Sequence, residues 1–282
     1  LAGERVSAEL RPAWSEAFAA EVLGPVPTIG GVDAAWAFDG ATGAGIDVAV
    51  VDSGIEAGHP AVGGVGESVA LRWDRGSGAV LAEPGPHPDL FGHGTACAGI
   101  IRRAAPDCTL HSVRVLGERL TGKAQVFAAG LRWAIAHGSR VVNLSLSTGN
   151  PEHFGLFHEI ADEAYFAGVV LVCAVNNVPG PSFPSQYAAV VSVAANDATD
   201  PFALDCNPSP PVEFGAPGIE LSVPWLAGGS VTSTGNSFAA PHVTGLVARL
   251  LSKHPDLSPY EVKTVLRSVA RNARPGTGRH AQ

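Results

Sequence analysis

The sequence predicts an α/β fold of three layers, with a mostly parallel central sheet covered by helices on both faces. Three observations point there. Apolar, β-branched runs of strand length recur between segments of helical periodicity. Several of these runs are apolar throughout, as strands covered on both faces are. The composition, 46% hydrophobic and 16% charged, suits a packed core and argues against disorder. At 282 residues one α/β domain buries enough surface to need neither disulfide nor metal for stability.

Residues 1–31 read as an N-terminal arm or precursor remnant, with a short amphipathic helix over Ala13–Leu23 broken by Gly24-Pro25-Val26-Pro27 and Gly30-Gly31. The domain proper is placed at 32–270. Val32–Phe38 gives a helical turn. Ile46–Val51 is a central parallel strand with Asp52 as its last residue, and Val69–Trp73 is a short strand in a Gly- and Pro-rich stretch. A helix begins at His93, where Gly94, Ala96 and Ala98 allow close packing. Strands at Leu110–Leu116, Val141–Ser147, Val169–Val175 and Val190–Ala194 alternate with helices at Gln125–His137 and Phe157–Ala167. This strand–helix–strand order argues for a doubly covered parallel sheet. A final helix opens at Ser258-Pro259-Tyr260-Glu261, where Ser258 suits the N-cap, Pro259 the first turn and Glu261 a capping box. Residues 271–282 read as a polar, frayed tail.

The formal net charge of −8 argues against nucleic acid or an anionic membrane as partner. The longest apolar run, Ala167–Val175, is nine residues and reads as a strand, so no transmembrane segment is predicted. Leu1–Arg5 lacks the apolar core of a signal peptide. The chain contains no Met, so its native start is expected to be missing, and a secreted or a cytoplasmic location both stay open. Cys97, Cys108, Cys173 and Cys206 are widely spaced without a CxxC pair. They read as buried free thiols, which leans to a reducing compartment, with two disulfides as the alternative, and no zinc site is expected.

The chemistry centres on Ser233-Thr234-Gly235-Asn236-Ser237, followed by an apolar helical pattern through Phe238, Ala240, Val243, Leu246, Val247, Leu250 and Leu251. Ser237 thus lies where a loop becomes a helix, beside free backbone N–H groups and the positive end of the helix dipole. Alone, such a serine is more often a cap than a nucleophile. Asp52, at a strand's carboxyl end, and His93, among glycines, are equally ordinary alone, and His59 and His87 compete for a catalytic part. Together the three supply a nucleophile, a base that takes its proton and a carboxylate that fixes the imidazole tautomer. The chain order Asp, His, Ser, and the lack of a second glycine in Gly235-Asn236-Ser237-Phe238-Ala239, separate the pattern from an α/β-hydrolase.

Val50-Val51-Asp52-Ser53-Gly54-Ile55, His93-Gly94-Thr95 and Gly235-Asn236-Ser237-Phe238-Ala239-Ala240-Pro241-His242-Val243 resemble the motifs of the subtilisin family of serine proteases. The resemblance runs from about Val32 to Ala270. It implies a triad of Asp52, His93 and Ser237. It implies an oxyanion donor at Asn176, helped by the Ser237 backbone N–H. It also implies an extended peptide or protein substrate flanked by Val115-Leu116-Gly117 and Ser145-Leu146-Ser147. Three departures stand out: Val175 where a Gly is usual, Asn236 in place of Thr, and Phe238 in place of Met. Asn236 is expected to offer an extra amide donor to the oxyanion. The short Ile100–Pro106 segment leaves no room for the calcium loop that many subtilisins insert, so neither metal nor cofactor is expected. The short stretch from Asn177 to Phe183 is expected to alter the pocket for the residue before the scissile bond.

The resemblance implies a serine endopeptidase acting through an acyl-enzyme, and a removed pro-segment is compatible with it. Two alternatives remain: a maturation protease or transpeptidase dedicated to one precursor, and a pseudoprotease that only binds peptides.

Overall fold

The computed structural model describes residues 11–274. In chain order its elements are β1 (Val26–Pro27), α1 (Ala34–Phe38), β2 (Asp47–Asp52), β3 (Ser68–Asp74), β4 (Ala79–Pro84), α2 (His93–Ala104), β5 (Thr109–Arg114), α3 (Ala124–Ala136) and β6 (Val141–Leu144). There follow α4 (Phe154–Phe166), β7 (Val170–Ala174), β8 (Val191–Asn196), β9 (Asp205–Cys206), β10 (Phe214–Pro217), β11 (Leu221–Trp225), β12 (Gly229–Ser233), α5 (Asn236–Lys253), α6 (Pro259–Val269) and β13 (Ala273–Arg274).

Nine strands form one sheet in the order β4-β3-β5-β2-β6-β7-β8-β10-β9. From β3 through β10 every pairing is parallel, and β4 and β9 close the two edges antiparallel. The two-residue period of a strand assigns its side chains to opposite faces. Val48 and Val50 pack with Ala98, Ile101, Val243 and Leu250 of α2 and α5. Ala49 and Val51 pack with Phe127, Leu131, Phe157 and Ile160 of α3 and α4. The sheet is therefore buried on both faces, which is why β2, β6, β7 and β8 read as unbroken apolar runs. The chain enters at β2, passes to β5 on one side and returns to β6 on the other. The carboxyl end of β2 is thus a topological switch point, where open α/β sheets carry their sites.

The predicted strand–helix alternation holds, and the Ser258–Glu261 capping box is present. Four segments differ from the sequence expectation. Ala13–Leu23 is not a helix: only Ser15–Phe18 makes a 3-10 turn, entered through Trp14 in a left-handed conformation. Tertiary anchoring overrides its helical pattern, because Phe18 is buried against Gly215 and the Ala13 N–H donates to Asn177 O at 2.8 Å. The strand β4 was not anticipated, since it is mostly exposed and lacks an apolar run. The strands β9 to β12 were also missed, being short or exposed. Finally, residues 271–274 are not frayed. Arg271 donates to both oxygens of buried Asp205, and β13 pairs parallel with β1, tying the arm to the end of the domain. The rest of the expected arm and tail, residues 1–10 and 275–282, lies outside the described residues.

All four cysteines are free and buried. Among the described residues no helix is long and apolar enough to cross a membrane.

Candidate active site

Asp52 ends β2 and is fully buried. A buried carboxylate needs hydrogen-bond donors. Its Oδ1 accepts the Ser53 N–H at 2.7 Å, and both oxygens lie 2.9 Å from His93 Nδ1. Because a carboxylate only accepts, Nδ1 carries the proton and the Nε2 lone pair of neutral His93 is free to act as a base.

His93 is the first residue of α2. Gly94 behind it permits the close approach of α2 to β2, since a Cβ there would collide with Gly54 O and press on Asp52 Cβ at 3.1 Å. Burial alone would lower the His93 pKa. The neighbouring Asp52 charge and its hydrogen bond outweigh that and hold it well above the ordinary value of 6.5.

A residue that sequence reasoning missed secures this helix start. Buried Asp89 accepts the N–H groups of Phe91 (3.0 Å), Gly92 (2.8 Å) and Thr95 (2.9 Å), together with the hydroxyls of Thr95 (2.6 Å) and Ser53 (2.8 Å). Its signal was present in the sequence: an Asp just ahead of a helical run is a typical cap.

Ser237 is the second residue of α5, after Gly235 and Asn236. Pro241 lies four residues on and has no N–H, so the Ser237 carbonyl lacks the usual helical donor. Ser145 supplies one, its Oγ donating to Ser237 O at 2.7 Å. Ser145 is in turn held by Asn143 Nδ2 at 2.9 Å, and Asn143 Oδ1 accepts from Thr244 Oγ1 at 2.9 Å. A buried polar network thus fixes the backbone that carries Ser237. His93 and Ser237 open on one cleft of about 230 Å³, and the Phe238 ring lies 5.3 Å from the imidazole.

The other site residues are placed as follows. Leu116, Ser145, Leu146, Ser147 and Asn176 line the cleft, together with Leu120 and Asn177, which were not singled out as site residues. Val115 is a core residue. Its N–H and that of Leu116 donate to Asp52 O at 2.8 and 3.2 Å, and the Gly117 N–H closes a turn on Thr121 O at 3.1 Å. Those three N–H groups are therefore committed within the protein and cannot pair with a substrate strand.

Asn236 also departs from expectation. It is fully buried, with Oδ1 accepting from Ala195 N–H at 2.8 Å. Its Nδ2 lies against the carbonyls of Ala13, Val175 and Asn176 at 3.1–3.2 Å. The side chain is turned inward to anchor the arm and the end of β7, so it does not serve an oxyanion.

The two neighbouring asparagines differ in orientation. Asn176 Nδ2 donates to Pro181 O at 2.8 Å and its Oδ1 accepts from Ser147 Oγ at 2.6 Å. Asn177 Oδ1 accepts the Asn236 N–H at 2.8 Å. A Cβ built on Gly235 would meet Ser237 Oγ at 3.2 Å and both Asn177 Nδ2 and Oδ1 at 3.6 Å, so the Asn177 amide and the Ser237 hydroxyl border the same small space.

The family model described as "Subtilase family" matches residues 43–281. The chain belongs to the subtilase family. Subtilisin E from Bacillus subtilis (strain 168) is 30% identical over 246 residues, which is 82% of this chain and 62% of that protein. Subtilisin DY from Bacillus licheniformis is 30% identical over 248 residues, covering 83% of this chain and 86% of that one. The chain thus spans a little under two thirds of subtilisin E and most of subtilisin DY. Among solved structures, a cold-adapted subtilisin-like serine proteinase aligns with a TM-score of 0.65 at 26% identity, over 81% of this chain and 83% of that one.

Cys97 lies one helical turn beyond His93 in this subtilase. Its Sγ is 3.9 Å from both His93 Nδ1 and Asp52 Oδ2 and 3.3 Å from Ser145 Oγ. Asp52, His93 and Cys97 each offer one potential metal-ligand atom within 4.8 Å of one another. The first two are already engaged with each other, and burial raises the Cys97 pKa, which keeps the thiol protonated.

Proposed function

We propose that this subtilase is a serine endopeptidase acting through Asp52, His93 and Ser237. One observation carries the reading: His93 donates Nδ1–H to both oxygens of a buried carboxylate in the cleft that also holds Ser237. Ser237 Oγ attacks the scissile carbonyl carbon while His93 Nε2 takes the hydroxyl proton. The oxyanion that forms is held by the Ser237 N–H and by Asn177 Nδ2, whose amide is oriented by its bond to the Asn236 N–H. His93 then returns the proton to the leaving amine, leaving an acyl-enzyme that water cleaves by the same steps. The substrate lies extended past Leu116, Leu120 and Leu146.

A dedicated maturation role is a second reading, favoured by the Ser147–Asn176 hydrogen bond that spans one side of the cleft. An amine held there in place of water would turn hydrolysis into peptide transfer.

The test is intact-mass analysis after fluorophosphonate treatment, with Ser237→Ala as control. One adduct on the wild type and none on the variant is the expected outcome. A folded wild type that stays unlabelled would leave only the peptide-binding alternative.

A further inference from the structure

We infer that Asn176 and Ser147 close the pocket that receives the side chain on the acyl side of the scissile bond, so that this enzyme cleaves after glycine, alanine or serine. The inference rests on the peptidase reading above. A carbonyl carbon within reach of Ser237 Oγ, with its oxygen turned to Asn177, brings the preceding Cα against the cleft walls. Its side chain then points into the gap between Ser145–Ser147 and Ala174–Asn176, the two chain segments leaving β6 and β7.

That gap is bridged from side to side. Ser147 Oγ donates across it to Asn176 Oδ1 at 2.6 Å, and Asn176 Nδ2 donates onward to Pro181 O at 2.8 Å. The Asn176 backbone is pinned as well, its N–H donating to Ser182 Oγ at 2.9 Å. At the far end Thr148 and Phe183 exchange backbone hydrogen bonds of 2.9 and 2.8 Å, which draws Asn177–Phe183 tightly over the gap. A Cβ on neighbouring Gly149 would already stand 3.2 Å from Pro181 O and 3.7 Å from Asn176 Nδ2, so little space is left.

A large apolar side chain could enter only by breaking both Asn176 side-chain hydrogen bonds and leaving those polar groups against an apolar surface, which is unfavourable. A small side chain fits with the bridge intact. Selectivity of this kind against an oversized group is on the order of 100-fold in kcat/KM.

The experiment has two parts on one preparation. Fluorophosphonate labelling first establishes a working Ser237. A mixture of peptides varied at every position is then digested by the wild type and by Ser147→Gly/Asn176→Gly, and the cut sites are read by mass spectrometry. The expected result is wild-type cleavage after Gly, Ala or Ser, with cleavage after Leu or Phe rising at least about 10-fold relative to Ala in the double variant. Labelled wild type that cuts after Leu or Phe as readily as after Ala would overturn the inference and leave the peptidase reading standing. The same holds for a labelled double variant with unchanged preference. Unlabelled wild type would overturn the peptidase reading and the inference with it. Should the double variant not fold, the wild-type cut sites decide the question alone.

Discussion

The helices that carry the proposed base and nucleophile start at the same edge of the sheet but are finished differently. At α2, Asp89 gathers three backbone N–H groups and two hydroxyls, so a buried carboxylate clamps the end that presents His93. At α5 no side chain of the N-cap Gly235 does this. There the Asn236 N–H goes to Asn177 and the Phe238 N–H to Gly235 O. The Ser237 N–H between them has no protein partner among the described residues. The difference follows from the task. A base needs orientation, so its helix start can be clamped by a buried carboxylate. A nucleophile beside a developing oxyanion needs a free donor, so its helix end stays open.

Three measurements would break or sharpen this contrast, beyond the labelling and cut-site experiments above. The largest effect is expected at the open end. Asn177→Ala should lower kcat by about 100- to 1,000-fold with little change in KM, as loss of one oxyanion donor does. Asn176→Ala should chiefly alter which side chain is accepted. Steady-state kinetics on one small-residue peptide separates the two, and the assignment fails if Asn176→Ala shows the larger loss in kcat.

At the clamped end, Asp89→Ala leaves several buried donors without an acceptor. A loss of roughly 3 kcal/mol in unfolding free energy is expected, read from urea titration. A variant as stable as the wild type would show that Asp89 does not hold the helix.

The smallest effect concerns pH. His93 must be neutral to take the Ser237 proton, so activity is lost as pH falls through its pKa. Asp52 holds that pKa above 6.5, so the acid limb should also lie above 6.5. In Asp52→Asn the charge that raises the pKa most is gone while burial still opposes the charged ring, and the limb should move down. The rate of fluorophosphonate labelling against pH reports it, even where peptide turnover is slow.

Much of the fold was legible because its signals are local. The capping box at Ser258 and the unbroken apolar strands each follow from residues close together in the chain. The segments that misled depend on distant partners. Ala13–Leu23 has a helical pattern, yet Phe18 is held by Gly215 and Ala13 by Asn177. The tail from Arg271 looked free, yet its partners are Asp205 and the β1 strand.

The same division runs through the site. The sequence by itself determined the residue types of the proposed triad, their order, and their positions at a strand end and two helix starts, because such positions are set by local patterning. Only the tertiary structure decided where each polar side chain points. It turned Asn236 inward to the Ala13, Val175 and Asn176 carbonyls, bridged Asn176 to Ser147, left Asn177 beside Ser237, and brought Asp89 beneath the His93 helix. The physical reason is that a buried amide or carboxylate must find hydrogen-bond partners, and in a folded chain those partners are spatial neighbours far away in sequence.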